Sequence, residues 1–285
     1  MVTSSSSPLQ AKLRNLVTDF LGSRGRNISP PSEIIESIRN RKWRAVLFGG
    51  TLRDLMVLGP ARPPRDIDIV IDEVSRDEIR KEFEGYVYRY TRFGGLTLRT
   101  AGWFVDVWPL RDTWAIKNSL VNSVDFASLP KTTFLNVEAV CVELKPSPGK
   151  SRVIYAKGFF EAICEQIVEI NLEENPFPSL CIVRSLLTAA KLNYKIGPKL
   201  MMYLMHHAYK HDFEELISIQ LSHYGQVSCT LEQLADWLTC IRAQYRTSKT
   251  SAAQLPIRPA QQLRLWQSGD TRKHLDSGVG MQTVD

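Results

Sequence analysis

The chain holds little that would tie it to a membrane, to an oxidising compartment or to a repeat architecture. No uninterrupted apolar run approaches the roughly 20 residues that a membrane-spanning helix needs. The start, Met1 to Pro8, is serine-rich without the apolar stretch of a secretory signal. Membrane insertion is therefore not expected, and the chain reads as cytoplasmic. Cysteine is scarce: Cys141, Cys164, Cys181, Cys229 and Cys240 are odd in number, widely separated and never paired as Cys-x-x-Cys. That pattern argues against a disulfide framework and a zinc site and favours buried free thiols. Neither hydrophobicity nor charge is extreme. With 285 residues, 44% of them hydrophobic, a real core can form, and a net charge of +6 suits phosphate-rich ligands without singling one out.

What is present falls into three textures. The N-terminal stretch places Leu9, Leu13, Leu16, Val17, Phe20 and Leu21 at helical spacing, and a second short helix after Pro30-Pro31 carries Ile34, Ile35 and Ile38. From Arg44 to Pro109 short β-rich runs take over: Arg44 to Phe48, Ile67 to Ile71, Tyr86 to Tyr90, Leu96 to Arg99 and Trp103 to Trp108. Helices are predicted between them at Thr51 to Leu58 and Arg76 to Phe83, and Thr100-Ala101-Gly102 reads as a hairpin turn. A further strand pair is expected at Phe134 to Leu144 and Arg152 to Ala156, followed by helical periodicity over Leu180 to Ala208 and Leu231 to Tyr245. The alternating Tyr86, Tyr88 and Tyr90 read as the packed side of a half-buried strand, with base stacking the other option. His206, His207 and His211 lack the further ligands a metal site needs and read as surface and packing residues. From Thr247 onward large apolar residues are few apart from Leu263, Leu265 and Trp266, so a poorly ordered tail is expected.

Two segments carry chemistry. Ala45 to Asp54 is an apolar strand, the pair Gly49-Gly50, and a helix start, a geometry that lets backbone and helix dipole approach a phosphate closely. Arg65-Asp66-Ile67-Asp68-Ile69-Val70-Ile71 sets two carboxylates two residues apart, which a strand places on one face with Ile67, Ile69 and Ile71 on the other. Like charges side by side repel, and a divalent cation such as magnesium resolves the conflict. A third acid, Asp106, interrupts the apolar run Trp103 to Pro109; a salt bridge to Arg53, Arg99 or Arg111 would also account for it. Three acids on adjacent strands meet the requirement for two-metal phosphoryl transfer.

The run Gly49-Gly50-Thr51-Leu52-Arg53-Asp54 followed by Arg62-Pro63-Pro64-Arg65-Asp66-Ile67-Asp68-Ile69 resembles the signature of class II CCA-adding enzymes and bacterial poly(A) polymerases, in the DNA polymerase β superfamily. Arg184 to Leu192 is similar to that family's neck helix, and the resemblance spans about residues 44 to 200. It implies an α+β fold: a mixed-sheet, polymerase β-like nucleotidyltransferase palm with N-terminal helices and a C-terminal helical domain. The expected division is a helical segment over 1–40, a catalytic domain over 41–157, a helical neck-like domain over 158–246 and a flexible tail over 247–285. It further implies that Asp66, Asp68 and Asp106 bind two Mg2+ ions and carry catalysis, and that Gly49 and Gly50 hold a triphosphate. Arg53, Asn136 and Arg184 become nucleotide contacts. Asn136 stands where the family has the asparagine of Arg-Asp-Phe-Thr-x-Asn, with Thr132-Thr133 replacing the Arg-Asp. The family's base-reading Glu-Asp-x-x-Arg is absent, and Phe177-Pro178-Ser179-Leu180-Cys181 occupies its place.

The implied activity is template-independent transfer of a nucleoside or deoxynucleoside monophosphate from its triphosphate to a hydroxyl acceptor, releasing pyrophosphate. Three acceptors stay open: a nucleotide, giving oligonucleotide signals such as those of bacterial antiphage modules; the 3' end of a nucleic acid, as in CCA or poly(A) tailing; and a protein hydroxyl, Ser277 or Thr283 of the chain itself included. A protein partner also stays open. The rival class is a catalytically idle nucleotide-binding regulatory module, against which the retention of three mutually repelling acids argues.

Overall fold

The computed structural model describes residues 6–22, 31–59, 64, 66–91, 93–100 and 102–257. In chain order the elements are α1 (Ser6–Gly22), α2 (Ser32–Asn40), β1 (Ala45–Phe48), α3 (Gly50–Val57), β2 (Ile67–Ile71), α4 (Arg76–Glu82), β3 (Val87–Tyr90), β4 (Leu96–Thr100), β5 (Trp103–Pro109), α5 (Trp114–Lys117), β6 (Val140–Glu143), β7 (Ile154–Ala156), α6 (Phe159–Glu165), β8 (Ile167–Val168), α7 (Pro178–Leu192), β9 (Lys195–Ile196), α8 (Pro198–His207), α9 (Phe213–Tyr224) and α10 (Leu231–Thr247).

Seven strands form one mixed sheet in the order β3-β4-β5-β2-β1-β6-β7, in which β2 and β5 run parallel and the other pairs antiparallel. Alternation along the strands divides the apolar side chains by face. Leu47, Ile67, Ile69, Leu98, Val105 and Val107 join one core with Leu13 and Val17 of α1, Ile34 and Ile38 of α2, and Leu52 and Leu55 of α3. The opposite face is covered only in part, by a smaller cluster of Val46, Val70, Leu110, Ile116, Phe126, Leu129 and Cys141. That incomplete cover leaves room beside Asp66, Asp68 and Asp106.

The second core belongs to α7 to α10, centred on Ile182, Leu186, Leu200, Leu204, Trp237 and Ile241. Helix boundaries follow local chemistry. Pro178 and Pro198 start α7 and α8, where a missing N–H costs nothing. Capping boxes, Ser75 with Glu78 and Thr230 with Gln233, start α4 and α10. The expected periodicity over Leu180 to Ala208 is interrupted: Asn193 turns left-handed at φ 55°, and Lys195–Ile196 pairs with β8 before α8 begins. α6 joins the two cores, with Phe159 and Phe160 in the first and Ala162 in the second.

Three expectations change. The strand predicted over Phe134 to Leu144 is extended only at Val140–Glu143, because Leu135 and Val137 leave the sheet to pack into the helical core. The segment after Thr247 is tied down at least to residue 257: Ala253 exchanges both backbone hydrogen bonds with Ile196, and Leu255 is buried. Leu263, Leu265, Trp266, Ser277 and Thr283 lie outside the described residues. Tyr86, Tyr88 and Tyr90 are exposed rather than packed, because β3 is the edge strand of the sheet.

Candidate active site

Asp66 immediately precedes β2 and Asp68 lies within it, on the face opposite Ile67, Ile69 and Ile71. In the parallel β2–β5 pair, Asp68 is the register partner of Asp106, so both side chains leave the same face from neighbouring strands. One Asp106 oxygen accepts a 2.5 Å hydrogen bond from Thr97 Oγ1 of β4, itself Asp106's register partner across the antiparallel pair. Asp66 is fixed through its backbone, its carbonyl accepting from Thr51 Oγ1 of α3 at 2.9 Å. Burial together with the charges of Asp106 and Asp66 pushes the Asp68 carboxyl up to about 8. The three acids therefore carry more negative charge than their surroundings neutralise.

Gly49 caps α3 with φ 68° and ψ −128°, a conformation that L side chains rarely adopt. A Cβ there would stand 4.0 Å from Asp68 Oδ2, ordinary contact, so it is the backbone conformation rather than space that calls for glycine, and the turn lies beside the acids. Gly50 opens the helix, and its Cα faces the Arg53 guanidinium, 3.4 Å from where a Cβ would stand.

Next to the acids lies a chain of ion pairs in which Arg53, Asp54 and Glu138 are buried. Arg53 bonds Asp54 (Nε to Oδ1, 2.8 Å) and Glu138 (Nη1 to Oε1, 2.6 Å). Arg184 of α7 reaches the other Glu138 oxygen at 2.8 Å, and Lys191, two turns further on, reaches Asp54 Oδ2 at 2.8 Å. Burial by itself would raise Glu138 and Asp54. The flanking cations outweigh it: Arg184 and Arg53 hold Glu138 below the usual carboxylate range, and Arg53 and Lys191 do the same for Asp54. Glu138 in turn raises Arg184, and Asp68 and Tyr224 add to that effect. Arg184 thus stands between the ion-pair chain and the acids.

These groups surround one cavity of about 260 Å³. The acids and the glycine turn contribute one part of the lining, the ion pairs and α7 a second, and His223 and Tyr224 at the end of α9 with Gln226 and Ser228 after it a third. Asn136 is not brought in. Its side chain bridges backbone instead, Nδ2 donating to the Ile167 carbonyl at 3.1 Å and Oδ1 accepting from the Glu169 N–H at 2.9 Å, which anchors β8. Arg53 lines the cavity with its guanidinium committed to Asp54 and Glu138. Among the described residues no three His, Cys, Asp or Glu side chains converge as a ready-made metal-ligand set. Yet hard oxygen donors in charge surplus are the donor chemistry that suits magnesium. Sequence reasoning missed Asp54, Glu138 and Lys191 as site residues, although Asp54 and Lys191 sit inside the two motif runs. It also missed the whole third part of the lining, which lies beyond residue 200 and carries no motif.

No protein-family model matches the chain, and no curated protein matches it in sequence. Its backbone is similar to solved structures of nucleotidyltransferases. One is a CCA-adding enzyme in apo form, at 14% identity and TM-score 0.52, covering 85% of this chain and 53% of that one. Another is a CCA-adding enzyme complexed with ATP, at 14% identity and TM-score 0.52, covering 85% and 54%. A third is a tRNA nucleotidyltransferase with a primer tRNA and an incoming ATP analog, at 17% identity and TM-score 0.50, covering 75% and 60%. The chain spans 53% to 60% of the length of these proteins. The likeness is one of fold, and the fold is the α+β, polymerase β-like one.

Proposed function

We propose that this protein transfers a nucleoside monophosphate from a nucleoside triphosphate to a hydroxyl on a nucleotide, without a template and with release of pyrophosphate. The observation that carries the reading is the register pair Asp68–Asp106, which lines with Asp66 a cavity that Arg53, Arg184 and Lys191 also line. In this reading residues 41–157 form the catalytic domain, 158–246 a neck-like helical domain, and the helices of 1–40 brace the sheet from behind.

Each residue has a part. Asp66 and Asp68 would hold two Mg2+ ions and Asp106 would share one of them, their oxygens rotating together as the cations offset their repulsion. Bound there, the ions supply charge neutralisation to the phosphates and acidify the attacking hydroxyl. Gly49 and Gly50 let the triphosphate approach the first turn of α3, where the helix dipole favours anions. Arg184 and Lys191 line the same cavity as the acids and would set positive charge where negative charge grows on departing pyrophosphate. The acceptor oxygen bonds the α-phosphorus as the α–β bridging P–O bond breaks. The bridging oxygen leaves with the electron pair on pyrophosphate, and the hydroxyl proton is released on the Asp106 side.

The acceptor is read from the same sheet face. Phe104 precedes Asp106 by two positions on β5, its ring centroid 5.3 Å from that of Tyr88 on the edge strand, and the Arg99 guanidinium lies 5.8 Å from the Tyr88 ring centre. Aromatic rings with a cation alongside suit an unpaired base. They favour a nucleotide or strand end over a protein hydroxyl as acceptor, and both an oligonucleotide product and an extended RNA or DNA end satisfy this.

The test is incubation with Mg2+ and each ribo- and deoxyribonucleoside triphosphate, with and without a short single-stranded RNA or DNA, products being resolved by mass. Pyrophosphate and elongated products that vanish in Asp66→Ala/Asp68→Ala are expected. Nucleotide binding without pyrophosphate under every condition would instead identify an idle module.

A further inference from the structure

The acids and the ion-pair chain account for the phosphate side of the cavity and leave the rest of its lining without a role. Along α7 the residues facing the cavity form one stripe, Arg184, Leu187, Thr188 and Lys191. The turn that precedes this stripe, Phe177 to Cys181, contributes none of the lining, and Phe177 packs instead on Phe93, ring centroids 5.7 Å apart. No charged pair on that turn can read a base edge. Apart from Thr51 of α3, the uncharged polar side chains that reach the cavity from elsewhere come from the end of α9 and the turn that follows it, Tyr224, Gln226 and Ser228, with His223 beside them.

This turn is built to hold its shape. Gly225 ends α9 in the left-handed conformation at φ 73°, its N–H bonded to the Leu221 carbonyl at 2.9 Å, and this reversal lets Tyr224 and Gln226 line the same cavity. Beneath it, Gln220 is wholly buried. Its Oε1 accepts from the N–H groups of Ser228 at 3.0 Å and Cys229 at 2.9 Å, and its Nε2 donates to the Cys229 carbonyl at 2.9 Å. The capping box of Thr230 closes the other end. A buried amide spending three hydrogen bonds on one short turn is what a preorganised recognition loop requires. Tyr224 is braced by His223, whose ring meets it edge-on with centroids 4.7 Å apart, and Tyr224 lines the cavity together with Arg184.

We propose that this turn is the base-recognition wall of the cavity, with Tyr224 stacking on the base, Gln226 pairing with its edge, and Gln220 as the positioning residue that holds both. The assignment rests on the nucleotidyl transfer reading and adds the specificity determinant to it. A glutamine amide held in one orientation offers one donor and one acceptor, the complement of the exocyclic amine and neighbouring ring nitrogen that adenine and cytosine share. A carboxylate at the same position only accepts, and so favours guanine, which presents two adjacent donors on its pairing edge.

The experiment is equilibrium binding of the non-hydrolysable α,β-methylene analogues of ATP, CTP, GTP and UTP to the full chain in Mg2+, for wild type, Gln226→Ala, Gln226→Glu and Tyr224→Leu. Wild type is expected to favour the adenine and cytosine analogues over the guanine and uracil ones by roughly tenfold, the discrimination one bidentate contact supplies. Gln226→Ala should bring the four affinities to within about threefold of one another as that contact is lost. Gln226→Glu should move the guanine analogue up the ranking, and Tyr224→Leu should weaken all four about equally, by roughly tenfold for a lost stack. A base ranking that survives both Gln226 substitutions overturns the proposal, as does a wild type that binds all four alike. Binding of none of the analogues would overturn the nucleotidyl transfer reading itself, and with it this assignment.

Discussion

At the scale of single residues the site is a contest between burial and charge, settled in opposite ways at two carboxylates that line the same cavity. Glu138 is buried between two guanidinium groups and stays ionised; Asp68 is half-buried beside two other acids and binds a proton far more readily than usual. The pH consequences have opposite signs. Because Asp68 in the folded chain holds its proton up to about 8, while the unfolded chain releases it near pH 4, its contribution falls as pH rises between those values. In chelator, the melting temperature of wild type is therefore expected to drop between pH 5 and 8.5 relative to Asp68→Asn, and Mg2+ should close the gap. Glu138 and Asp54, held below their ordinary range, contribute stability above the unfolded value of about 4 and lose it as pH falls through their folded values. Replacing Glu138 by Gln leaves the buried Arg53 with Asp54 alone and removes the carboxylate partner of the half-exposed Arg184, and chemical denaturation should show a loss of about 1–3 kcal/mol. If transfer proceeds as proposed, Asp68→Asn should also lower its rate by at least about a hundredfold, the scale of one removed transition-state contact.

At the scale of elements, position in the sheet matters more than local pattern. Tyr86, Tyr88 and Tyr90 alternate as packed strand residues do, but β3 is an edge strand with no layer over it, so their rings meet solvent. A strand's outer cover is set by tertiary neighbours and leaves no mark on its own alternation. Tyr88→Ala should weaken binding of a single-stranded acceptor by about 1–3 kcal/mol, read by titration of a labelled oligonucleotide, with nucleotide affinity unchanged. The α9–α10 turn depends on Gln220 in the same non-local way. Gln220→Leu leaves the buried Cys229 N–H and the part-buried Ser228 N–H without their partner, and thermal or urea unfolding should report a cost of about 1–3 kcal/mol.

At the scale of the whole molecule, two cores meet across a shared cavity and are tied together by α6, by the Asn136 bridge and by the ion pairs from α3 to α7. The return of residues 253–255 onto β9 closes the helical core, so Leu255→Ala should destabilise the protein by about 2–5 kcal/mol in denaturant unfolding. The sequence by itself determined the strands around the acids, the face on which Asp66 and Asp68 lie, the glycine turn and the helices of both ends, because each depends on a period or a cap within a dozen residues. Only the tertiary structure decided which face of the sheet stays open, that Asn136 serves as a bridge away from the cavity, that Asp54, Glu138 and Lys191 join one ion-pair chain, and that a turn beyond residue 220 supplies the third part of the lining. Those outcomes depend on contacts between residues up to 137 positions apart, and no local pattern encodes which distant side chain will neutralise a buried charge.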